Sequence, residues 1–357
     1  MKELSSLVRP EVRDLKAYHV SEPHVPVKLH ANESPFNLSG ELTGRISSEA
    51  AKIAYNRYPD PSSADLRNVM AGQLGVPVNQ LLLGNGSDEL IQMIIMAFGG
   101  HAAPVIIPSP TFSMYRNIAL SLGESVKAVP LDSSFELDGP AMLNECKKGP
   151  SIVFISYPNN PTGNCFSEDV IIKILDSSEG IVVIDEAYFD YSRKSFIEKL
   201  GNYPNMIILR TLSKIGLASL RLGVLIAGEE LVQIVNRVRL PYNIGSMQQA
   251  AAFQALSLRD DIDSGIALVT GERVRLAAEM SSIEGLEIFR SDSNFILFRV
   301  QDADGLFEDL IGEGVLIRNL NLPGPLKDCL RVTAGTPAEN DKFIDALKKI
   351  TKDKKKK

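Results

Sequence analysis

Four short apolar runs constrain this chain more than any other feature. "APVIIPSPTF", "SIVFISYP", "GIVVIDEAY" and "NMIILRTLSK" are rich in Ile and Val and lack the apolar/polar alternation of a half-exposed strand. Helical or loop stretches separate several of them. Strands of this kind are covered on both faces, so the pattern predicts an α/β fold with a mostly parallel sheet between helices. "LLLGNGSDELIQMIIMAFGG" adds a short apolar strand, a Gly turn and an apolar helix, and "SADLRNVMAGQLG" has the spacing of an amphipathic helix.

Residues from about 244 to 283 read as helical. Beyond them, "LEIFRSDSNFILFRV", "GVLIRNL" and "CLRVTAGT" read as strands of a second, smaller sheet, closed by the helix "AENDKFIDALKKI". At the other end, "SEPHVPVKLHANESPF" is an extended arm, because Pro23, Pro26 and Pro35 forbid a long helix. Such an arm has to dock on another part of the fold.

Composition narrows the function. A chain of 357 residues, 44% hydrophobic, can bury a large core and suits one large domain with a smaller companion. A formal net charge of -6, with no long basic stretch in the body, argues against nucleic acid or an anionic membrane as the main partner. The Lys-rich end "TKDKKKK" reads as a solvated terminus. Cys146, Cys165 and Cys329 are odd in number and lack CxxC spacing, so neither a disulfide framework nor a metal site is indicated, and free thiols of a reducing compartment are expected. The start is charged throughout, and no segment approaches the roughly 20 apolar residues of a membrane span. The protein is expected in the cytoplasm, as an enzyme of small molecules.

Polar residues cluster where the apolar runs end: Asn160 after "SIVFISYP", Asp185 and Tyr188 after "GIVVI", Ser213 and Lys214 after "NMIILRT". The carboxyl ends of parallel strands face one crevice, so these distant residues are expected to converge there. Taken singly, "GNGSDEL" (84–90) is also just a tight turn before an acidic helix start, "DEAY" a buried strand end, and "SK" a common dipeptide. Their order and spacing point further. A lysine able to form an imine, a carboxylate for a pyridinium proton and neutral donors for a phenolic oxygen are what pyridoxal 5'-phosphate requires. "GNGSDEL" and Arg221 can supply backbone donors and a cation for its phosphate.

"YPNNPTG" (157–163), "VVIDEAYFDY" (182–191) and "RTLSKIGLASLRLG" (210–223) resemble the signature segments of fold-type I, class-II aminotransferases, over nearly the whole chain. Within that family, "VRDLKAY" (12–18), "KLHANESPF" (28–36), "YNRYPDP" (55–61), "PSPTFSMY" (108–115) and "LRVTAGT" (330–336) are similar to the histidinol-phosphate aminotransferases. The resemblance implies an arm over residues 1–45 joining the small domain, a large cofactor domain over 46–260, and a small α+β domain over 261–357. It implies that Lys214 carries pyridoxal 5'-phosphate as a Schiff base and that Asp185 pairs with the ring nitrogen. Asn160 and Tyr188 would bond the ring oxygen, and Phe112 would cover the ring face. Ser213, Arg221, the Gly86 turn with the amides of Ser87 and Asp88, and Tyr58 of the partner subunit would hold the phosphate, which makes the active unit a homodimer. Two positions depart from many relatives: Phe112 stands where a tyrosine is common, and Lys214 is seven residues from Arg221 instead of eight.

The same resemblance implies transamination between histidinol phosphate and 2-oxoglutarate, a step of histidine biosynthesis. Arg331 would grip the anion beside the reacting carbon, with Arg318, Tyr18 and Asn32 completing the substrate end. The cofactor residues equally suit an aromatic or broad-specificity aminotransferase, or a threonine-phosphate-type decarboxylase. A non-catalytic regulator of this fold is disfavoured, because Lys214 is present and the arm is too short and Pro-rich for a DNA-binding domain.

Overall fold

The computed structural model describes residues 4–13, 15, 23–100 and 103–354. Its strands, among the described residues, are β1 (Val27–Lys28), β2 (Leu81–Asn85), β3 (Val105–Ser109), β4 (Val126–Pro130), β5 (Ile152–Ser156), β6 (Ile181–Asp185), β7 (Met206–Thr211), β8 (Leu222–Ala227), β9 (Leu286–Ile288), β10 (Phe295–Val300), β11 (Val315–Leu316), β12 (Arg318–Asn319) and β13 (Cys329–Thr333). The large sheet has the order β2-β8-β7-β6-β5-β3-β4, and the smaller one β12-β13-β10-β9. Strands β3 to β7 are parallel, as the uninterrupted apolar runs predict, whereas β8 runs against both β7 and β2. The fold is the α/β arrangement expected.

Successive side chains of a strand point to opposite faces, and both faces here are dry. Val153 and Ile155 of β5 join one core with Val182, Ile184, Met206 and Ile208, against the helices Glu168–Ser177 and Ser246–Ser257. Ile152 and Phe154 join the opposite core with Val183, Ile207 and Leu209, against the helices Ser87–Phe98 and Ser113–Leu122. Each such side chain contributes about 1.5–3 kcal/mol of burial. Polar chemistry is therefore pushed off the faces of the sheet to its edge.

The smaller sheet is antiparallel throughout and packs Ile296, Phe298, Leu330 and Val332 against Leu276, Met280, Phe343 and Leu347 of the two helices Asp260–Ser281 and Pro337–Lys354. The second helix opens on a reciprocal cap: the Thr336 amide donates to Glu339 Oε2 at 2.8 Å and the Glu339 amide to Thr336 Oγ1 at 3.3 Å. The arm docks on this unit. β1 pairs parallel with β11, the Thr333 amide donates to the Leu29 carbonyl at 2.8 Å, and Val27 and Leu29 enter the small-sheet core. The three cysteines are free, and no described helix is long and apolar enough to cross a membrane.

Directly after β6, buried Glu186 accepts from Arg210 Nη2 (2.8 Å) and Nε (3.0 Å), from Ser195 Oγ and from the Phe196 amide (2.7 Å), while the Arg210 guanidinium lies 3.5 Å from the centre of the Phe189 ring. Breaking a buried pair strands one charge, which costs more than removing both. Arg210→Met is expected to lower stability by about 3 kcal/mol or more in urea denaturation. The double variant Arg210→Met/Glu186→Leu is expected to lie closer to the unaltered protein than Arg210→Met alone.

Candidate active site

The carboxyl ends of β2, β5, β6 and β7 and the start of β8 meet at one edge, because β2 runs with β7 and β8 runs against both. Asp185 is the last residue of β6, opposite Ser156 of β5. Its side chain is 3% exposed. Carboxylate Oδ2 accepts from the Tyr115 hydroxyl at 2.7 Å and Oδ1 from the Ala187 amide at 3.1 Å. Burial pushes its carboxyl up to about 6, although both hydrogen bonds oppose the rise. A cation beside this carboxylate is favoured.

Lys214 ends a short 3-10 turn (Leu212–Lys214) that follows β7 directly. The Tyr191 hydroxyl donates to the Lys214 carbonyl at 2.6 Å and pins that turn. Lys214 Nζ is 5.9 Å from the centre of the Tyr188 ring, which meets Phe295 edge to face at 5.3 Å. The Arg331 guanidinium of β13 lies 5.0 Å from the centre of the Phe295 ring and donates to Asn160 Oδ1 at 2.6 Å and to the His30 carbonyl at 2.9 Å. An unbroken line of contacts thus joins Lys214, Tyr188, Arg331 and Asn160, although 171 residues separate the last two.

A second cluster surrounds the start of the helix Ser87–Phe98. Gly86 precedes it with φ +82° and provides no side-chain cap, so the first amides, those of Ser87 and Asp88, are not met by their own N-cap. Gly223 lies so close behind that a Cβ there would come within 2.6 Å of Gly86 C and Ser87 N, and a Cβ on Gly86 would come within 2.6 Å of Arg221 Nη2. Arg221 reaches this point from a left-handed conformation, φ 46°, with Nη1 donating to Ser213 Oγ at 3.3 Å and Nη2 to Asp88 Oδ2 at 3.2 Å. Amides, hydroxyl and guanidinium around a glycine cradle have the chemistry of a phosphate site.

Asn32, 1% exposed, donates from Nδ2 to the Tyr188 hydroxyl at 2.9 Å and accepts from Thr333 Oγ1 at 3.2 Å. Its carboxamide is thereby committed to Tyr188 and β13. Arg318 of β12 is the direct cross-strand partner of Arg331, so both side chains emerge on one face. Phe112, half-buried, stands at the N-cap position of the helix Ser113–Leu122 without a side-chain cap. Tyr58 is 80% exposed and stacks on Tyr242 at 4.5 Å, apart from these groups. Tyr18 lies outside the described residues. Sequence reasoning missed Tyr115, Tyr191, Phe295 and Thr333. Tyr115 carried a readable signal, since it stands three residues after Phe112 at a helix start and so shares its face.

A doubly covered sheet whose edge presents a lysine, a buried carboxylate, a tyrosine and an anion cradle is an aminotransferase architecture, and the chain belongs to the aminotransferase class I and II family, whose model matches residues 25–347. Histidinol-phosphate aminotransferase 2 of Nitrosococcus oceani is 42% identical over 346 residues, 96% of each chain. The histidinol-phosphate aminotransferase of Sinorhizobium meliloti, solved in complex with pyridoxal-5'-phosphate, superposes with a TM-score of 0.88 over 98% of both chains at 24% identity. An L-threonine-O-3-phosphate decarboxylase of Porphyromonas gingivalis shares the fold at a TM-score of 0.80 and 23% identity, covering 91% of this chain and 99% of its own.

The buried carboxylate generates a pH signature. The folded state holds the Asp185 proton up to about pH 6, while the unfolded chain releases it near pH 4. Between those values the folded state binds more protons, so this residue's contribution to stability falls as pH rises through the window and is not recovered above it. In protein without added ligand, Asp185→Asn is expected to remove that slope and to be more stable than the unaltered chain at pH 8, by on the order of 2–3 kcal/mol. Urea midpoints across pH 4–8 for the two proteins measure the difference.

Proposed function

We propose that this chain is a pyridoxal 5'-phosphate-dependent aminotransferase that exchanges an amino group between histidinol phosphate and 2-oxoglutarate, acting as a cytoplasmic homodimer. The observation that carries the reading is the meeting of Lys214, Asp185, Tyr188, Asn160 and Arg331 at one sheet edge, beside the glycine cradle. The donor set fits the cofactor: Asp185 suits a pyridinium nitrogen, Asn160 and Tyr188 a phenolic oxygen, and Phe112 the ring face. Ser87, Asp88, Ser213 and Arg221, with Tyr58 of the partner subunit, suit the phosphate. The exposure of Tyr58 supports its reaching a second subunit. We assign the arm to residues 1–45, the large domain to 46–260 and the small domain to 261–357.

Bound there, the cofactor supplies an electron sink for charge developing at the substrate's amine-bearing carbon. Lys214 would hold it through Nζ and, once displaced by substrate amine, take a proton from that carbon. Asp185 would keep a proton on the ring nitrogen, and Asn32, by donating to the Tyr188 oxygen, leaves the hydroxyl proton of Tyr188 free to be donated elsewhere. Since one site serves two donors in turn, kinetics would be ping-pong.

The cross-strand pair Arg318 and Arg331 supports a phosphorylated substrate. Like charges directly opposite on a sheet repel, and a doubly charged anion between them reverses that cost. The resemblance to histidinol-phosphate aminotransferases at 42% identity supports the same substrate. A donor panel of histidinol phosphate, phenylalanine, tyrosine, aspartate and threonine phosphate with 2-oxoglutarate tests the assignment; the reading fails if histidinol phosphate is not the preferred donor.

Three further outcomes are expected. The purified protein should be yellow, and borohydride should fix the cofactor on Lys214 alone; peptide mapping that found it on another lysine would refute the assignment. Arg331→Ala should damage both half-reactions, each losing a charge-assisted contact worth about 1.5–3 kcal/mol. Arg318→Ala should cost histidinol phosphate at least about tenfold more in kcat/KM than glutamate, since one guanidinium saturates a carboxylate but not a phosphate. Single half-reactions, followed by the cofactor absorption, measure each substrate separately.

A further inference from the structure

Tyr115 occupies a place that the cofactor and substrate assignments leave without a role. It is the third residue of the helix Ser113–Leu122 and has no exposed surface. Its ring stacks on Phe154 of β5, with centres 4.9 Å apart and planes 14° from parallel, and meets the edge of Phe112 at 5.4 Å and 86°. Its hydroxyl donates to Asp185 Oδ2 at 2.7 Å. One buried side chain therefore touches both the carboxylate and the aromatic residue assigned to the cofactor ring.

We propose that Tyr115 is a positioning residue of the reaction: it fixes the rotation of the Asp185 carboxylate and keeps that carboxylate charged, while its ring backs Phe112. This rests on the cofactor reading above. A carboxylate held on one oxygen by the Ala187 amide alone can turn about its last bond; a second donor on the other oxygen removes that freedom and leaves the remaining lone pairs to face a ring nitrogen. Burial beside Asp185 raises the Tyr115 hydroxyl well above its ordinary value, so it donates throughout the working range. The other charges acting on Asp185, those of Asp88 and Glu186, favour its protonation, which leaves Tyr115 and the Ala187 amide to oppose it. The stack on Phe154 needs only the ring, whereas the hydroxyl, with Ser156 beside it, is what donates to the carboxylate.

The test separates these two parts. Tyr115→Phe keeps both ring contacts and deletes the donor. Cofactor binding to apoprotein, followed by absorbance from pH 5 to 9, is expected to lose its acid limb about one pH unit higher than in the unaltered protein. A charge-assisted hydrogen bond moves an acid's midpoint by about that much. Affinity should then be about tenfold weaker at pH 5 and only about twofold weaker at pH 7. Placing 3-fluorotyrosine at position 115, a more acidic phenol and stronger donor, should move the limb the other way. In an Asp185→Asn background the pH-dependent part of the Tyr115→Phe effect should vanish. A profile that superimposes on the unaltered one, or a loss that is equal at every pH and persists in the Asp185→Asn background, overturns the proposal. Failure of the unaltered apoprotein to bind pyridoxal 5'-phosphate at all would instead overturn the cofactor reading.

Discussion

Dryness on both faces of β5, β6 and β7 is the constraint from which the rest of this molecule follows. Every side chain of "IVFIS" and "IVVID" is spent on one of two cores except where the strand ends, and all but one of "MIILRT" are buried, so polar residues find room only at the edge. Asp185, Ser213 and Lys214 stand at or just past those ends. The rigidity of a sheet packed on both sides then holds them in fixed relative positions, as the proposed reaction requires.

The edge is completed from elsewhere. β13 contributes Arg331 and Thr333, and the arm contributes the His30 carbonyl and Asn32, which bind those residues and Tyr188. Because Val27 and Leu29 lie in the small-sheet core, the arm and that sheet form one packed unit against the large sheet. The arginine therefore cannot shift without disturbing Asn160 and the arm.

Stability and chemistry oppose one another at Asp185. A carboxyl in a dry strand end is costly to ionise near neutrality, yet the role proposed for Asp185, beside a pyridinium nitrogen, needs it ionised. The neighbouring Glu186 shows the alternative solution: equally buried, it is saturated by Arg210, Ser195 and the Phe196 amide and has no capacity left for a ligand. Two consecutive acids thus take different roles, one spent on structure and the other held in reserve.

Much of this was legible in the sequence, because hydrophobic periodicity is local. The runs that became β3, β5, β6 and β7, the residues at their ends and the helices between them could be read directly. The separate small sheet was readable for the same reason, and the extended arm from its prolines, Pro23, Pro26 and Pro35, though not where it docks. The reversal of β8 was not, since a buried strand has the same composition in either direction. Nor were the cross-strand neighbours Arg318 and Arg331, set by register in a two-residue strand, or the bonds from Asn32 to Thr333 and from Arg331 to His30, each spanning 301 residues. The hydroxyl of Tyr115 finds its acceptor 70 residues away. The sequence by itself determined that Asn160, Asp185, Tyr188, Ser213 and Lys214 would stand at the ends of the apolar runs, because burial dictates where polar groups can stand. Only the tertiary structure decided which of them touch, because hydrogen-bond partners are chosen by proximity in space and leave no period along the chain.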